Sequence, residues 1–179
     1  MAFVRKLFYG LLGTLILLAL VGVFLPDRAH VERSISIQAP AAAVFKHING
    51  MKAFHQWSPW TALDPDTHYE FTGPDTGIGS KMLWSSGSEQ VGRGSQVITA
   101  MGNNRSVATQ LEFGEQAGGN AAFQLLEKTA GTTQVTWSFD TEFGWDIFSR
   151  YVGLFLDQLL GPSYEKGLMN LKALAEAKP

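Results

Sequence analysis

Between Leu7 and Leu25 the chain carries nineteen consecutive residues without a charge, LFYGLLGTLILLALVGVFL. As a helix rising 1.5 Å per residue, that run is about 28 Å long, close to the hydrocarbon thickness of a bilayer. A helix packed on a soluble domain keeps a polar face, and this segment has none. Arg5 and Lys6 flank its start, and Pro26-Asp27 ends it, because proline is poor inside a helix. An export signal that is cleaved has a shorter apolar stretch followed by a small-x-small site; here the run is longer and no A-x-A string follows it. The expectation is an uncleaved single-pass anchor over residues 1–27. Its basic flank stays in the cytoplasm and residues 28–179 lie on the outer, periplasmic or extracytoplasmic, side. Gly10, Gly13 and Gly22 do not fall at G-x-x-x-G spacing, and no residue pattern sets an oligomeric state.

The remainder is about 150 residues, the size of one ordinary domain. With 45% apolar and 17% charged residues over the whole chain, it can bury a core without covalent staples. The chain has no Cys, so a disulfide framework, a thiol nucleophile and a thiolate metal site are all ruled out. A net charge of −2 with scattered Lys and Arg argues against nucleic acid, whose phosphates demand a basic surface.

The order of elements follows from periodicity. Val31 to Gln38 alternates, with Val31, Arg33, Ile35 and Ile37 on one face, as in a strand with one covered side. Pro40 opens a short helix through Val44 and Phe45, and a second helix or turn covers Met51 to Gln56. About six antiparallel strands follow, separated by Gly-, Asn- and Pro-rich turns; in the last, Val135, Trp137, Phe139, Thr141 and Phe143 share a face. The end of the chain is helical from Ile147, with a break expected at Gly161-Pro162. Val44, Phe45, Trp137, Phe139, Phe155, Leu159, Leu168 and Leu171 are expected in the core. The meander's curved face needs a cover, and the long last helix is the natural lid.

Several strings then resemble one family. They are Ser34-Ile35-Ser36-Ile37-Gln38-Ala39-Pro40 followed by Val44-Phe45, Trp57-Ser58-Pro59-Trp60, Gly77-Ile78-Gly79-Ser80 followed by Trp84, Gly92-Arg93-Gly94, Val135-Thr136-Trp137, and Glu165-Lys166-Gly167-Leu168 followed by Leu171-Lys172. In this order, over about residues 31 to 175, they resemble the SRPBCC proteins of polyketide cyclase/dehydrase type, within the START/Bet v 1-like superfamily. The resemblance implies an α+β helix-grip fold, a curved antiparallel sheet wrapped around a long C-terminal helix. It also implies a cavity between sheet and helix that often takes hydrophobic ligands. It carries no catalytic residue onto a position of this chain, and its members include binders and enzymes.

Residues that could carry chemistry are few. His30, His47, His55 and His68 do not show metal-ligand spacing, and neither a metal nor another cofactor is expected. Asp64-Pro65-Asp66 reads as turn chemistry before it reads as a carboxylate pair. Asp140 and Glu142 should face solvent, opposite the apolar face of their strand. Glu89 and Arg93 are expected on one face of a strand, paired with each other or meeting a ligand's polar head. The aromatic residues remain. Trp145, Phe148, Tyr151 and Phe155 can line one cavity wall from the first half of the last helix, and Trp57, Trp60 and Trp84 its mouth. The leading expectation is a membrane-anchored binding protein for a hydrophobic small molecule or lipid. An enzyme of cyclase, dehydratase or hydrolase type using the same cavity is the second, and an envelope accessory protein with a filled interior is the third.

Overall fold

The computed structural model describes residues 2–114 and 116–177. A helix α1 (Ala2–Val23) precedes strand β1 (Arg28–Ile37), the short helices α2 (Ala41–Phe45) and α3 (Met51–His55), and six strands: β2 (His68–Thr72), β3 (Lys81–Ser85), β4 (Arg93–Gly102), β5 (Ser106–Phe113), β6 (Gln116–Thr129) and β7 (Thr132–Glu142). Two helices close the chain, α4 (Ile147–Gly153) and α5 (Leu156–Glu176). The strands form one antiparallel sheet in the order β1-β7-β6-β5-β4-β3-β2. The ladder is sequential except where β1 closes on β7, pairing Val31 with Phe139 and Ile35 with Val135. Register shifts between Ile98 and Ala100, Leu111 and Phe113, and Glu127 and Thr129 increase the local twist that curves a sheet. The expected helix-grip architecture is what the chain adopts.

The alternation read in β7 holds. Val135, Trp137, Phe139 and Thr141 are buried, while Asp140 and Glu142 are exposed. The concave face meets α5 through Tyr164, Leu168 and Leu171, and α2 contributes Val44 and Phe45 to the same core. Its centre is aromatic. Trp137 stacks on Tyr164 with centroids 3.9 Å apart, and Phe54, Trp57 and Trp60 meet the Trp137 ring edge-on. Such edge-to-face pairs add specificity to the area that they bury.

One bond network fixes how α5 lies on the sheet. The Arg33 guanidinium, on β1, donates to both carboxylate oxygens of Asp157 at 2.8 and 3.0 Å and, from Nε, to Glu165 at 2.8 Å. Asp157 and Glu165 lie two turns apart on α5, so one planar fork sets both the position and the rotation of that helix.

The C-terminal helices differ from expectation in two ways. The helix runs unbroken through Pro162, and the break falls earlier, at Leu154-Phe155. Gln158 and Pro162 are both exposed, so the Gln158 carbonyl deprived of a donor can be met from outside the protein. Phe155 and Leu159 are not core residues: they are 55% and 64% exposed. The buried face of α5 runs instead through Tyr164, Leu168 and Leu171, on the side of the helix roughly opposite Leu159.

Candidate ligand cavity

A cavity of about 910 Å³ opens between the concave sheet and the first half of α5. Most of its sheet wall comes from three neighbouring strands, with Tyr69 of β2 and Phe139 of β7 adding to it. Met82 and Trp84 come from β3, Gln96 from β4, and Leu111 and Phe113 from β5, all from the face that meets α5. Leu156, Leu160 and Tyr164, four residues apart along α5, form the opposite wall. Phe54 and Trp60 close the inner end against the aromatic core, and the β3–β4 loop, Glu89 to Gly92, forms the rim with Arg93.

The Trp84 indole has room because its cross-strand partner is Gly94. A Cβ at Gly94 would collide with the Trp84 ring and with the Glu112 carbonyl. The Trp84 Nε1–H is met by the Val91 carbonyl at 3.2 Å, which ties the ring to the rim loop.

Polar groups punctuate the apolar lining: Ser58, Gln96 and the Tyr69 and Tyr164 hydroxyls in the walls, and Glu89, Gln90 and Arg93 at the rim. Gln96 is 3% exposed and donates from Nε2 to Thr109 Oγ1 at 2.9 Å. Burial raises the Tyr164 phenol far above its ordinary range, so it stays protonated. Glu89 and Arg93 do not share a strand face, because β4 begins only at Arg93 and Glu89 belongs to the loop; both stand exposed at the rim. Asp64 proves to be a turn residue. It accepts hydrogen bonds from the Ser86 hydroxyl and from the Asp66 N–H, and these hold its carboxyl below the usual range. Burial depresses His47 and His55 in the neutral direction, and His55 packs its ring on Tyr69. Among the described residues no group of three His, Asp or Glu side chains could hold a metal ion.

Of the seven aromatic residues singled out in the sequence, Trp60 and Trp84 line the cavity. Trp57 lies inside the core rather than at the mouth, 3% exposed, its indole N–H donated to the His47 carbonyl at 2.8 Å. Trp145, Phe148, Tyr151 and Phe155 stand outside the cavity. The break at Leu154-Phe155 turns α4 away from the sheet and onto α1, where the Tyr151 hydroxyl donates to the Leu18 carbonyl at 2.8 Å. Trp145 and Phe148 are 82% and 78% exposed. The wall residues that sequence reasoning missed, Leu156, Leu160 and Tyr164, have a four-residue signature of their own, adjacent to the stripe that was chosen.

The sequence matches the model of the family described as polyketide cyclase/dehydrase and lipid transport over residues 28–176. The chain belongs to this family. No curated protein matches it. Solved structures do. A truncated norcoclaurine synthase from Thalictrum flavum superposes with a TM-score of 0.63 at 10% identity, covering 85% of this chain and 96% of that one. A START superfamily protein from Mycobacterium smegmatis gives 0.58 at 14% identity, with 82% and 97% covered. The Zhui aromatase/cyclase from a Streptomyces species gives 0.57 at 15%, with 83% and 94% covered. At these identities the likeness establishes the family's fold, shared by enzymes and other members alike.

The family match begins at Arg28, where α1 has ended. That helix is long and apolar enough to cross a membrane, and almost none of it is buried by the rest of the chain. Its last turn is held by α4. Arg150, 7% exposed, donates from Nη1 to the carbonyls of Val23 and Leu25 at 2.8 and 3.3 Å, and its Nε and Nη2 bond the Gly144 carbonyl. Gly22 lets the Ile147 side chain approach where any Cβ would collide with it.

Proposed function

We propose that this protein is a membrane-anchored binding protein for a hydrophobic small molecule or lipid, held in the cavity between the sheet and α5. The observation that carries the reading is the cavity itself. About 910 Å³ is ample for such a molecule, and apolar walls of Met82, Trp84, Leu111, Phe113, Leu156 and Leu160 are joined by a few polar groups, Gln96 and Tyr164 among them, that can fix orientation. Rim residues Arg93 and Glu89 stand where a polar head would emerge. The family's description, which includes lipid transport, supports the same ligand class.

The anchor is α1. An apolar helix of this length left bare in water is unfavourable, and a bilayer is the solvent that suits it. Arg150 supports retention of the helix in the working protein: its Nη1 donates to the Val23 and Leu25 carbonyls, contacts that cleavage before residue 28 would remove. The basic flank Arg5-Lys6 supports an orientation with the N-terminus in the cytoplasm and the domain on the outer side. The protein should resist carbonate extraction from membranes, and a chain found to start near Asp27 or His30 would refute the anchor.

Binding is tested by titrating the protein with fatty acids, phospholipids and flat aromatic compounds while following tryptophan emission. Trp60 and Trp84 in the walls make a saturable change in intensity or wavelength the expected result, with little dependence on salt. Leu160→Trp, which projects a larger ring into the cavity from the α5 side, should weaken it. Failure of every class to saturate, with no lipid retained in native mass spectrometry, would leave the accessory-protein reading in its place.

A further inference from the structure

The apolar stripe that the sequence directs toward the core faces outward. Trp145, Phe148, Val152, Phe155 and Leu159 recur at spacings of three and four, and their exposures are 82%, 78%, 40%, 55% and 64%. Phe148 and Val152 lie on α4, Leu159 lies on the first turn of α5, and Trp145 and Phe155 lie in the turns that lead into the two helices, so the segment presents apolar side chains to the outside throughout. Scattered apolar residues on a surface are ordinary, whereas five in one segment, two of them among the largest side chains, need a partner.

The position of α4 identifies that partner. Its side chains meet α1 from Leu18, through the Tyr151 hydroxyl, to Leu25, through Arg150. The helical part of this contact, Leu18 to Val23, corresponds to about 8 Å along the α1 axis. With α1 spanning a bilayer that ends near Leu25, α4 is dipped to the depth at which interfacial helices lie, roughly 5–10 Å into the headgroup and acyl boundary. Phe24, 87% exposed beside this contact, makes the stripe continuous with the bare surface of α1. A water-soluble partner could cover the stripe only by also covering the end of the span.

We infer that α4 and the first turn of α5 form a second membrane contact, lying in the outer interface with Trp145, Phe148, Val152, Phe155 and Leu159 against lipid. This rests on the reading of α1 as a membrane anchor. Trp145 and Phe148 then sit where aromatic side chains concentrate at membrane surfaces. The Arg150 charge, which a lipid boundary would penalise, is turned inward onto backbone carbonyls, under the Trp145 ring at 5.6 Å. Leu156 and Leu160, on the adjacent face of the same helix turn, line the cavity, so its α5 wall stands directly above the lipid surface.

The absence of Cys permits a direct test. Single cysteines replace Leu12, Phe148, Leu159 or Glu127 in the full chain, which is labelled with an environment-sensitive fluorophore and reconstituted in vesicles of phosphatidylcholine and phosphatidylglycerol. Labels at 148 and 159 should emit at shorter wavelength than the label at 127, and lipids carrying a quencher near the headgroup should quench them more than lipids quenched deep in the chain. The label at 12 should show the opposite depth preference. Aqueous emission at 148 and 159 with lipid-buried emission at 12 would overturn the second contact and leave the anchor standing. Aqueous emission at 12 would remove the anchor and this inference with it. Blue-shifted emission at 148 without quenching by lipid would mean that protein covers the stripe, and would overturn the inference as well.

Discussion

The Arg150 guanidinium, on α4, and the carbonyl oxygen of Val23, the last residue of α1, are joined at 2.8 Å. The C-terminal carbonyls of a helix have no donors within it and attract positive charge, so Arg150 caps α1 across more than a hundred residues of sequence. Arg150→Met should lower the unfolding free energy of the full chain in detergent by about 1–3 kcal/mol, as for a buried polar group left unmatched. Arg150→Lys should restore only part, because an ammonium lacks the fork that reaches several carbonyls at once. Equal transition midpoints for all three proteins would mean that the α1 carbonyls find donors elsewhere.

Leu168 and Leu159 lie nine residues apart on α5 and should respond oppositely to truncation. Leu168 is 1% exposed, so Leu168→Ala should cost about 2–5 kcal/mol in urea or guanidinium unfolding. Leu159→Ala, outside the packed interior, should stay within about 0.5 kcal/mol in detergent. A large loss at Leu159 would return its side chain to the core.

Gly94→Ala should strain the cavity wall. The new methyl group meets the Trp84 indole and the Glu112 carbonyl, and overpacking of this kind costs about 1–3 kcal/mol. Tryptophan emission and chemical denaturation measured together report it. A destabilised protein with unaltered emission would show that the backbone of β4, rather than the Trp84 ring, gives way.

The latch between β1 and α5 should be sensitive to acid. Hydrogen bonds from the Arg33 guanidinium hold the Asp157 carboxyl below its ordinary range. Its pKa is lower folded than unfolded. The stabilisation is therefore complete above the unfolded value, near pH 4, and disappears as pH falls through the folded value. Asp157→Asn should lower the urea midpoint at neutral pH and should flatten its fall below about pH 4, so that the two proteins converge in acid. Parallel curves would remove Asp157 as the titrating partner.

The strands were legible in the sequence because their period of two leaves little freedom. Once Val135, Trp137 and Phe139 point inward, Asp140 and Glu142 must point outward, and they do. The helices were harder. From Ile147 to Leu174 apolar residues occupy two adjacent stripes, one through Phe148, Val152, Phe155 and Leu159 and one through Leu156, Leu160, Tyr164 and Leu168. Periodicity reveals that a face is apolar but not which medium covers it, and a helix beside a membrane can have two such faces. The expectation gave the cavity wall to the first stripe, whereas Leu156, Leu160 and Tyr164 of the second line it. Pro162 was misjudged for a related reason: its cost depends on whether the carbonyl four residues back faces outside, and tertiary placement decides that. Residue type alone points to Trp60 and Trp84, which line the cavity, and equally to Trp57, since the same large ring serves as well in a core.

Only Phe24, Leu25, Pro26 and Asp27 separate the end of α1 from the first strand. Fully extended, four residues reach about 14 Å, less than the diameter of a domain of this size. With α1 in a bilayer, the domain can neither lift away nor turn over, and Arg150 removes much of the remaining play. On the function proposed above, its search for a ligand is two-dimensional. Encounter depends on lateral diffusion and on the amount of ligand per unit area of membrane, and the concentration in the surrounding water matters little. On that reading the protein would collect and present molecules within the plane that it inhabits and would not ferry cargo across an aqueous gap.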